Sequence, residues 1–332
     1  MHDLTVGLCF DLRTDSVYEG LSHEDLAEFD SPATIDALSA TIAEHGCRVD
    51  RIGGIRALVD RLRRGDRWDL VFNIAEGRNG FGREAQVPAL LDAYEIPYTF
   101  SDPLVAALTL HKGLTKRILR DAGMPTAPFA VVESIGGAST VDMPFPLLAK
   151  PVAEGTSKGI GADAVARDPG QLAALCERLF TMFRQPVLVE AFLPGRELTV
   201  GIVGTGDDAW SIGALEVEQL PGADMDVCSF RNKEECESLV RYTRVDDRDA
   251  LHACEIALDA WRLIGARDGG RVDLRADASG AFQILEINPL PGMHPTHSDL
   301  PILWGQSGRP YVELVGAILD SALKRVPAAS RA

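Results

Sequence analysis

The sequence predicts an α/β and α+β combination, an open parallel sheet at the N-terminus followed by a strand-rich remainder. Three observations predict it. Apolar β-rich runs alternate with helical patterns over the first hundred residues, strands multiply beyond Pro194-Gly195, and 332 residues are enough for two or three domains. The composition is globular, with 46% hydrophobic and 25% charged residues.

The elements follow in order. Leu4 to Phe10 is an apolar strand. Ser31-Pro32 opens a helix with a capping hydroxyl and a first-turn proline, Ile35, Leu38 and Ile42 recur at helical spacing, and Gly46 ends it. Arg48 to Ile52 reads as a strand, Ile55 to Leu62 as a helix, Asp69 to Ile74 as a strand, Glu84 to Tyr94 as a helix, and Ile96 to Tyr98 as a last short strand. A β-α-β-α-β-α-β order implies parallel pairing. No Gly-x-Gly-x-x-Gly follows the first strand, so dinucleotide binding is not indicated. Asp102-Pro103 starts helices over Leu104 to Leu110 and Lys112 to Ala122. Phe129 to Val132 and Leu147 to Pro151 read as strands, Pro169 to Phe183 as a helix and Val187 to Phe192 as a strand. Helices over Arg248 to Ile264 and Pro310 to Arg325 complete the chain.

The net charge of −16 argues against nucleic acid or an anionic membrane as partner. No apolar run reaches the roughly 18 residues of a membrane span, and no signal peptide is evident, so a cytoplasmic protein is expected. Six scattered cysteines without a Cys-x-x-Cys pair read as reduced thiols. Only six of 33 cations are lysines, and four of them (Lys112, Lys150, Lys158, Lys233) fall in segments of chemical interest. An ammonium is a compact point charge, so lysines retained in an arginine-rich chain suggest a chemical requirement.

The most informative segment is Gly270-Arg271-Val272-Asp273-Leu274-Arg275 with Leu285-Glu286-Ile287-Asn288-Pro289-Leu290-Pro291-Gly292. Alternate strand residues share a face, so Arg271 points with Asp273, and Glu286 with Asn288. Two carboxylates and an amide oxygen suit a hard cation such as Mg²⁺, and the arginine suits a phosphate or carboxylate. The Gly155–Gly161 loop offers backbone N–H groups, Ser157 and Lys158 to phosphate oxygens, or is simply a flexible turn. Lys150 ends an apolar strand and must reach a partner. Glu190-Ala191-Phe192-Leu193 with Glu197 could sandwich a base and bind ribose, or be a solvated connector. His294 and His297 lie in a proline-containing loop, which fits a pocket or structural role better than zinc.

In order along the chain, Lys112-Gly113-Leu114-Thr115-Lys116, Lys150-Pro151 with Glu154-Gly155-Thr156-Ser157, Glu190 to Glu197, Arg271-Val272-Asp273 and Glu286 to Gly292 resemble the ATP-grasp family, and within it the D-alanine–D-alanine ligases. The resemblance implies an N-terminal domain over 1–103, a central ATP-grasp subdomain over 104–189 and a C-terminal one over 190–332. ATP would lie between two antiparallel sheets, with Lys112, Lys150, Ser157, Lys158 and Lys233 toward its phosphates and Glu190, Phe192, Leu193 and Glu197 around adenine and ribose. Asp273, Glu286 and Asn288 would hold two Mg²⁺ ions, with Mn²⁺ as an alternative. The implied reaction activates a carboxylate as an acyl phosphate and transfers it to an amine. Arg271 and the Gly292 N–H would face the oxyanion, Ser298 the second substrate's carboxylate, and Lys233 would sit on a lid over Glu218 to Glu237. The implied partners are small amino acids or amines, and a homodimer is expected.

The departures fall on substrate elements. The family's early Gly-Gly-x-Ser-x-Glu segment, whose glutamate orients the first substrate, has no evident counterpart, and Asp11 to Asp15 stands near its place. Glu76-Gly77 replaces a His-Gly pair, Thr156 a serine, and Glu234 the lid tyrosine. Glu234 would either bring negative charge to the pocket or pair with Arg231 or Lys233. A D-alanine–D-alanine-type ligase, a ligase acting on a specialised metabolite, and a nucleotide binder without turnover remain the competing readings.

Overall fold

A computed structural model describes residues 3–326. The N-terminal layer is a parallel sheet of β1 (Thr5–Cys9), β2 (Arg48–Arg51) and β3 (Leu70–Asn73) in the order β2-β1-β3. Helices α1 (Pro32–Glu44), α2 (Ile55–Arg63) and α3 (Gln86–Ala93) connect and cover it. Ser31 caps α1 by accepting from the Thr34 N–H, as its position before Pro32 predicts. Ile96 to Tyr98 is not a full strand. Tyr98 makes only an isolated parallel bridge to Val71, and the Phe100 backbone beyond it turns into the left-handed region (φ 70°), ending the pairing.

Asp102 accepts from the Val105 N–H to cap α4 (Pro103–Leu110), and α5 (Lys112–Asp121) follows. A four-stranded antiparallel sheet in the order β4-β7-β5-β6 contains β4 (Phe129–Val132), β5 (Leu147–Pro151), β6 (Val165–Ala166) and β7 (Val187–Ala191). Helix α6 (Pro169–Phe183) packs on it through Leu172, Leu175, Cys176 and Leu179. The third sheet, β10-β9-β8-β11-β12, is antiparallel and built from β8 (Glu197–Val203), β9 (Trp210–Gln219), β10 (Val240–Val245), β11 (Gly269–Ala276) and β12 (Phe282–Asn288). Short helices α7 (Phe230–Glu234) and α8 (Cys236–Leu239) lie between β9 and β10, and α9 (Arg248–Ile264) buries an alanine-rich stripe with Trp261 against β8, β9 and β11.

Two further helices, α10 (Asp299–Gln306) and α11 (Tyr311–Leu323), return the chain to its beginning. Sequence patterning over 299–306 did not separate α10 from its loop. Its Leu300, Leu303 and Trp304 share a core with Val6, Leu8 and Phe72 of the N-terminal sheet, and α11 packs on α1. Asp268, fully buried, locks this junction: it accepts from the Phe100 N–H (2.7 Å), from Ser321 Oγ (2.7 Å) and from Arg325. No cysteine is in a disulfide, and among the described residues no helix is long and apolar enough to cross a membrane.

Candidate active site

Strands β11 and β12 set the donor geometry. Arg271 pairs in register with Asn288, and Asp273 with Glu286, so the four side chains converge from adjacent positions. A bulge follows at once, with Leu285 as the extra residue, and it turns Leu285 into the same cleft as Glu286. Thr199 on β8 donates to Asp273 at 2.8 Å, and the Asn288 amide donates to Glu286 at 3.1 Å. Among the described residues no group of three or more His, Cys, Asp or Glu side chains has a metal-binding arrangement, His294 and His297 included. Two carboxylates and an amide suit a hard cation, and such an ion would take its remaining oxygens from water or phosphate.

Cations ring these donors. Lys112 lies 3.3 Å from Glu286 and also donates to the Glu154 carbonyl at 2.5 Å. Burial opposes the charge on Glu286, but Lys112, Lys150, Arg271 and Lys233 outweigh it and hold its pKa well below the carboxylate range. Asp273 shifts the other way, raised by burial and by Glu286 despite Arg271. Arg271 Nε is 3.4 Å from Asp273 and 3.3 Å from Asp299, a partner the sequence did not single out.

Lys150 does find its partner. It lies 2.7 Å from Glu190, whose other oxygen is 2.6 Å from Lys116. Lys116 is 1% and Glu190 2% exposed, so one carboxylate serves two ammonium groups inside the protein. Burial and the neighbouring Lys150 pull the Lys116 pKa down, while Glu190 and Glu286 overcome burial at Lys150. Glu190 therefore borders the cleft with its carboxylate already committed. Lys116 was legible only as part of the Lys112–Lys116 motif and was given no role of its own.

The Gly155–Gly161 loop combines a strained backbone with a supporting ion pair. Thr156 (φ 50°) and Ser157 (φ 55°) are successive non-glycine residues in the left-handed region, an uncommon arrangement that needs external support. Glu28 supplies it, accepting from the Gly155 N–H at 2.6 Å and pairing with Lys158 at 2.9 Å and Arg83 at 3.2 Å. The carboxylate beside the Thr156 loop is thus Glu28, not a residue of the Asp11–Asp15 segment. It lies beyond residues 16–27, outside the Asp11–Asp15 segment.

The segment Glu218 to Glu237 is folded over the cleft. The Phe230 N–H donates to Ile160 O at 3.0 Å, and fully buried Asn232 binds Asp224 N and O and Val227 O. This hydrogen-bond knot adds to apolar anchoring by buried Val227 and by Ala223 and Cys236, which pack against Val217, Leu239 and Val240. Lys233 reaches the cleft, where Asp299 and Asp273 overcome burial and keep its pKa above the ordinary range. Glu234 pairs with neither Arg231 nor Lys233. It faces His23 at 3.4 Å, while Arg231 takes Glu235.

Two adjoining cavities result. The first, about 100 Å³, is a slot lined by Leu148, Ile160, Phe192, Leu193, Val227 and Leu285, with Lys112, Lys150, Lys158, Glu197, Asp273 and Glu286 toward one end. Arg275 closes it, 3.4 Å from Glu197 and over the Phe192 ring. The second, about 480 Å³, is a polar chamber that includes Glu76, Thr156, Glu234, Arg271, Gly292 and Ser298. Gly292 is closely packed there: a Cβ would stand 2.7 Å from Ser298 Oγ, which would have to shift. That oxygen accepts from the His294 N–H at 3.0 Å. Lys233 and Gly155 line both cavities.

Two antiparallel sheets flanking an apolar slot, with lysines and paired carboxylates at its end, define an ATP-grasp fold. The chain belongs to the D-alanine–D-alanine ligase family: the family model for the D-ala D-ala ligase C-terminus matches residues 118–320. A D-alanine–D-alanine ligase of Alcanivorax borkumensis is 33% identical over 289 residues, covering 87% of this chain and 88% of that protein. An uncharacterized protein of Sinorhizobium fredii is 33% identical over 262 residues, 77% of this chain and 75% of its own. The crystal structure of the Bacillus anthracis D-alanine–D-alanine ligase complexed with ATP superposes with a TM-score of 0.74 at 19% identity, covering 98% of each chain. The Enterococcus faecalis VanG D-Ala:D-Ser ligase gives 0.73 at 18% identity, covering 97% of this chain and all of that one.

Proposed function

We propose that this protein is an ATP-dependent carboxylate–amine ligase that joins two small amino-acid substrates through an acyl phosphate. The observation that carries the reading is the junction of the two cavities, where Lys233 and Gly155 are shared and cations and oxygen donors converge. Phosphoryl transfer asks a protein for positioning and charge neutralisation, and this junction is equipped for both.

The apolar slot around Phe192 and Leu193 would take adenine, with Glu197 on the ribose. Lys112, Lys150, Ser157, Lys158 and Lys233 would meet phosphate oxygens. The Asp273, Glu286 and Asn288 oxygens fit Mg²⁺, two ions in this reading or Mn²⁺ in their place, which would neutralise charge on the phosphates. A carboxylate oxygen of the first substrate attacks the γ-phosphorus and ADP leaves. The amine of the second substrate then attacks the acyl carbon, loses a proton and expels phosphate. Arg271 and the Gly292 N–H would stabilise the tetrahedral oxyanion, and Ser298 would receive the second carboxylate. Glu28, against the Thr156 loop, would orient the first substrate's ammonium group.

ADP formation with Mg·ATP should depend on added amino acids, tested on D- and L-forms with D-alanine among them. ADP release indifferent to every amino acid would contradict the reading. The lid has its own test. Amide exchange across residues 218–237 should slow when an ATP analogue and Mg²⁺ bind, since closure would shield a hydrolysable acyl phosphate. Equal protection in both states would argue against a lid. The reading extends to a homodimer, and a monomer mass by light scattering would contradict that part alone.

A further inference from the structure

We infer that the chamber takes, as its acyl-donating substrate, an amino acid bearing a second cationic group, held by Glu76 and Glu84. This rests on the ligase reading and names its substrate class. The chamber counts as a substrate site because it opens at Lys233 and Gly155 onto the phosphate end of the slot, and carries Arg271, Gly292 and Ser298. Its volume of about 480 Å³ lies within the range of roughly 300–1,000 Å³ usual for small-molecule sites. The carboxylates decide what fills it.

Six carboxylates and three permanent cations line the chamber. The cations are already engaged. Arg271 lies against Asp273 and Asp299, Lys233 faces the same two acids, and Arg13 donates to the Phe29 and Ala27 carbonyls. Glu28 already holds Gly155, Lys158 and Arg83, and in the ligase reading the substrate's α-ammonium group is its further partner. With Glu234 facing His23 and Asp299 against Arg271, that leaves Asp30, Glu76 and Glu84, whose carboxylates receive no hydrogen bond and make no ion pair among the described residues. Burial first, then Glu84 and Glu28, push the Glu76 pKa well above its ordinary value. Burial raises Glu84 to about 7 against the pull of Arg83, and Asp30 to about 7 against that of Arg13. Carboxylates this poorly compensated favour a cation as their neighbour.

Alanine would bring one ammonium group, which Glu28 can meet, and nothing for Glu76 or Glu84. A side-chain ammonium or guanidinium group could donate to both carboxylates and supply the counter-charge they lack. A substrate with an extra carboxylate would meet repulsion. Glu76 and Glu84 flank the loop after β3, on the same wall as Glu28, so the second cation belongs to the substrate whose ammonium Glu28 orients.

The test traps the acyl phosphate of the full-length protein with hydroxylamine, in Mg·ATP. Lysine, ornithine, 2,4-diaminobutyrate and arginine, each as D- and L-forms, are compared with alanine and glutamate. The inference expects at least one basic acid to form hydroxamate with kcat/KM about tenfold or more above alanine. It expects Glu76→Gln and Glu84→Gln each to shrink that ratio about tenfold. Alanine used as well as every basic acid would overturn the inference and leave the ligase reading standing, as would a ratio unchanged in both variants. Hydroxamate from none of the acids, by protein that binds an ATP analogue, would overturn the ligase reading and this inference with it.

Discussion

Glu286→Gln is expected to fold normally and to lose most turnover. Glu286 faces Asp273 across the β11–β12 register and is held anionic by four cations, Lys112 at 3.3 Å among them. Glutamine keeps the volume and one oxygen but removes the charge that an oxygen-ligated Mg²⁺ site requires. A loss of ~3 kcal/mol of transition-state stabilisation lowers kcat roughly 150-fold. Asp273→Asn should act in the same direction, since Asp273 is the opposing donor. ADP formation alongside a thermal melt separates the two effects. Near-parental turnover by a folded Glu286→Gln protein would remove Glu286 from the proposed metal site.

Glu190→Gln should be the most destabilising conservative change in the central sheet. Its carboxylate is the direct counter-ion of both Lys116 and Lys150. Breaking a buried pair from one side strands charge in a poorly solvated interior and costs about 3–5 kcal/mol. Here two ammonium groups are stranded, although Lys116 keeps Thr126 Oγ1 and Ile284 O as acceptors. The pH dependence carries a sign. Burial would raise the Glu190 pKa, but Lys116 and Lys150 bring it from the ordinary 4.5 to about 2. Its contribution is complete above pH 4.5 and is lost as pH falls toward 2. Urea unfolding of parent and variant between neutral pH and pH 3 should therefore converge toward the acid end. A variant within ~1 kcal/mol of the parent at neutral pH would mean that the lysines find other partners.

Much of this was legible because local signals agreed with the fold. Ser31 and Asp102 before prolines marked α1 and α4, and the apolar run ending in Lys150 announced a buried strand whose lysine needed a partner. The Arg271-Val272-Asp273 and Glu286-Ile287-Asn288 alternations brought their polar residues to one face. What was not legible depended on contacts distant in sequence. Glu28 meets Gly155 across 127 positions, and residues 16–27 hide its relation to the Thr156 loop. Lys116 carries no local mark of burial, because its helix pattern leaves it among polar neighbours while Glu190 arrives from β7. Asp299 begins a helix that only the N-terminal core stabilises. The β12 bulge that adds Leu285 to the slot is a register event, which periodicity alone does not reveal. The sequence around Glu234 fits either a pocket charge or a lid pair, and its partner, His23, comes from a loop with no repeating pattern.

Oxygen transfer tests the central claim most directly. An acid substrate labelled with ¹⁸O in its carboxylate is turned over with unlabelled ATP and an amine, and the released phosphate is analysed by mass. Activation as an acyl phosphate predicts one labelled oxygen in each phosphate, delivered from the carboxylate when the amine displaces it. Phosphate without label, at the same yield of product, would contradict a ligase that works through this intermediate.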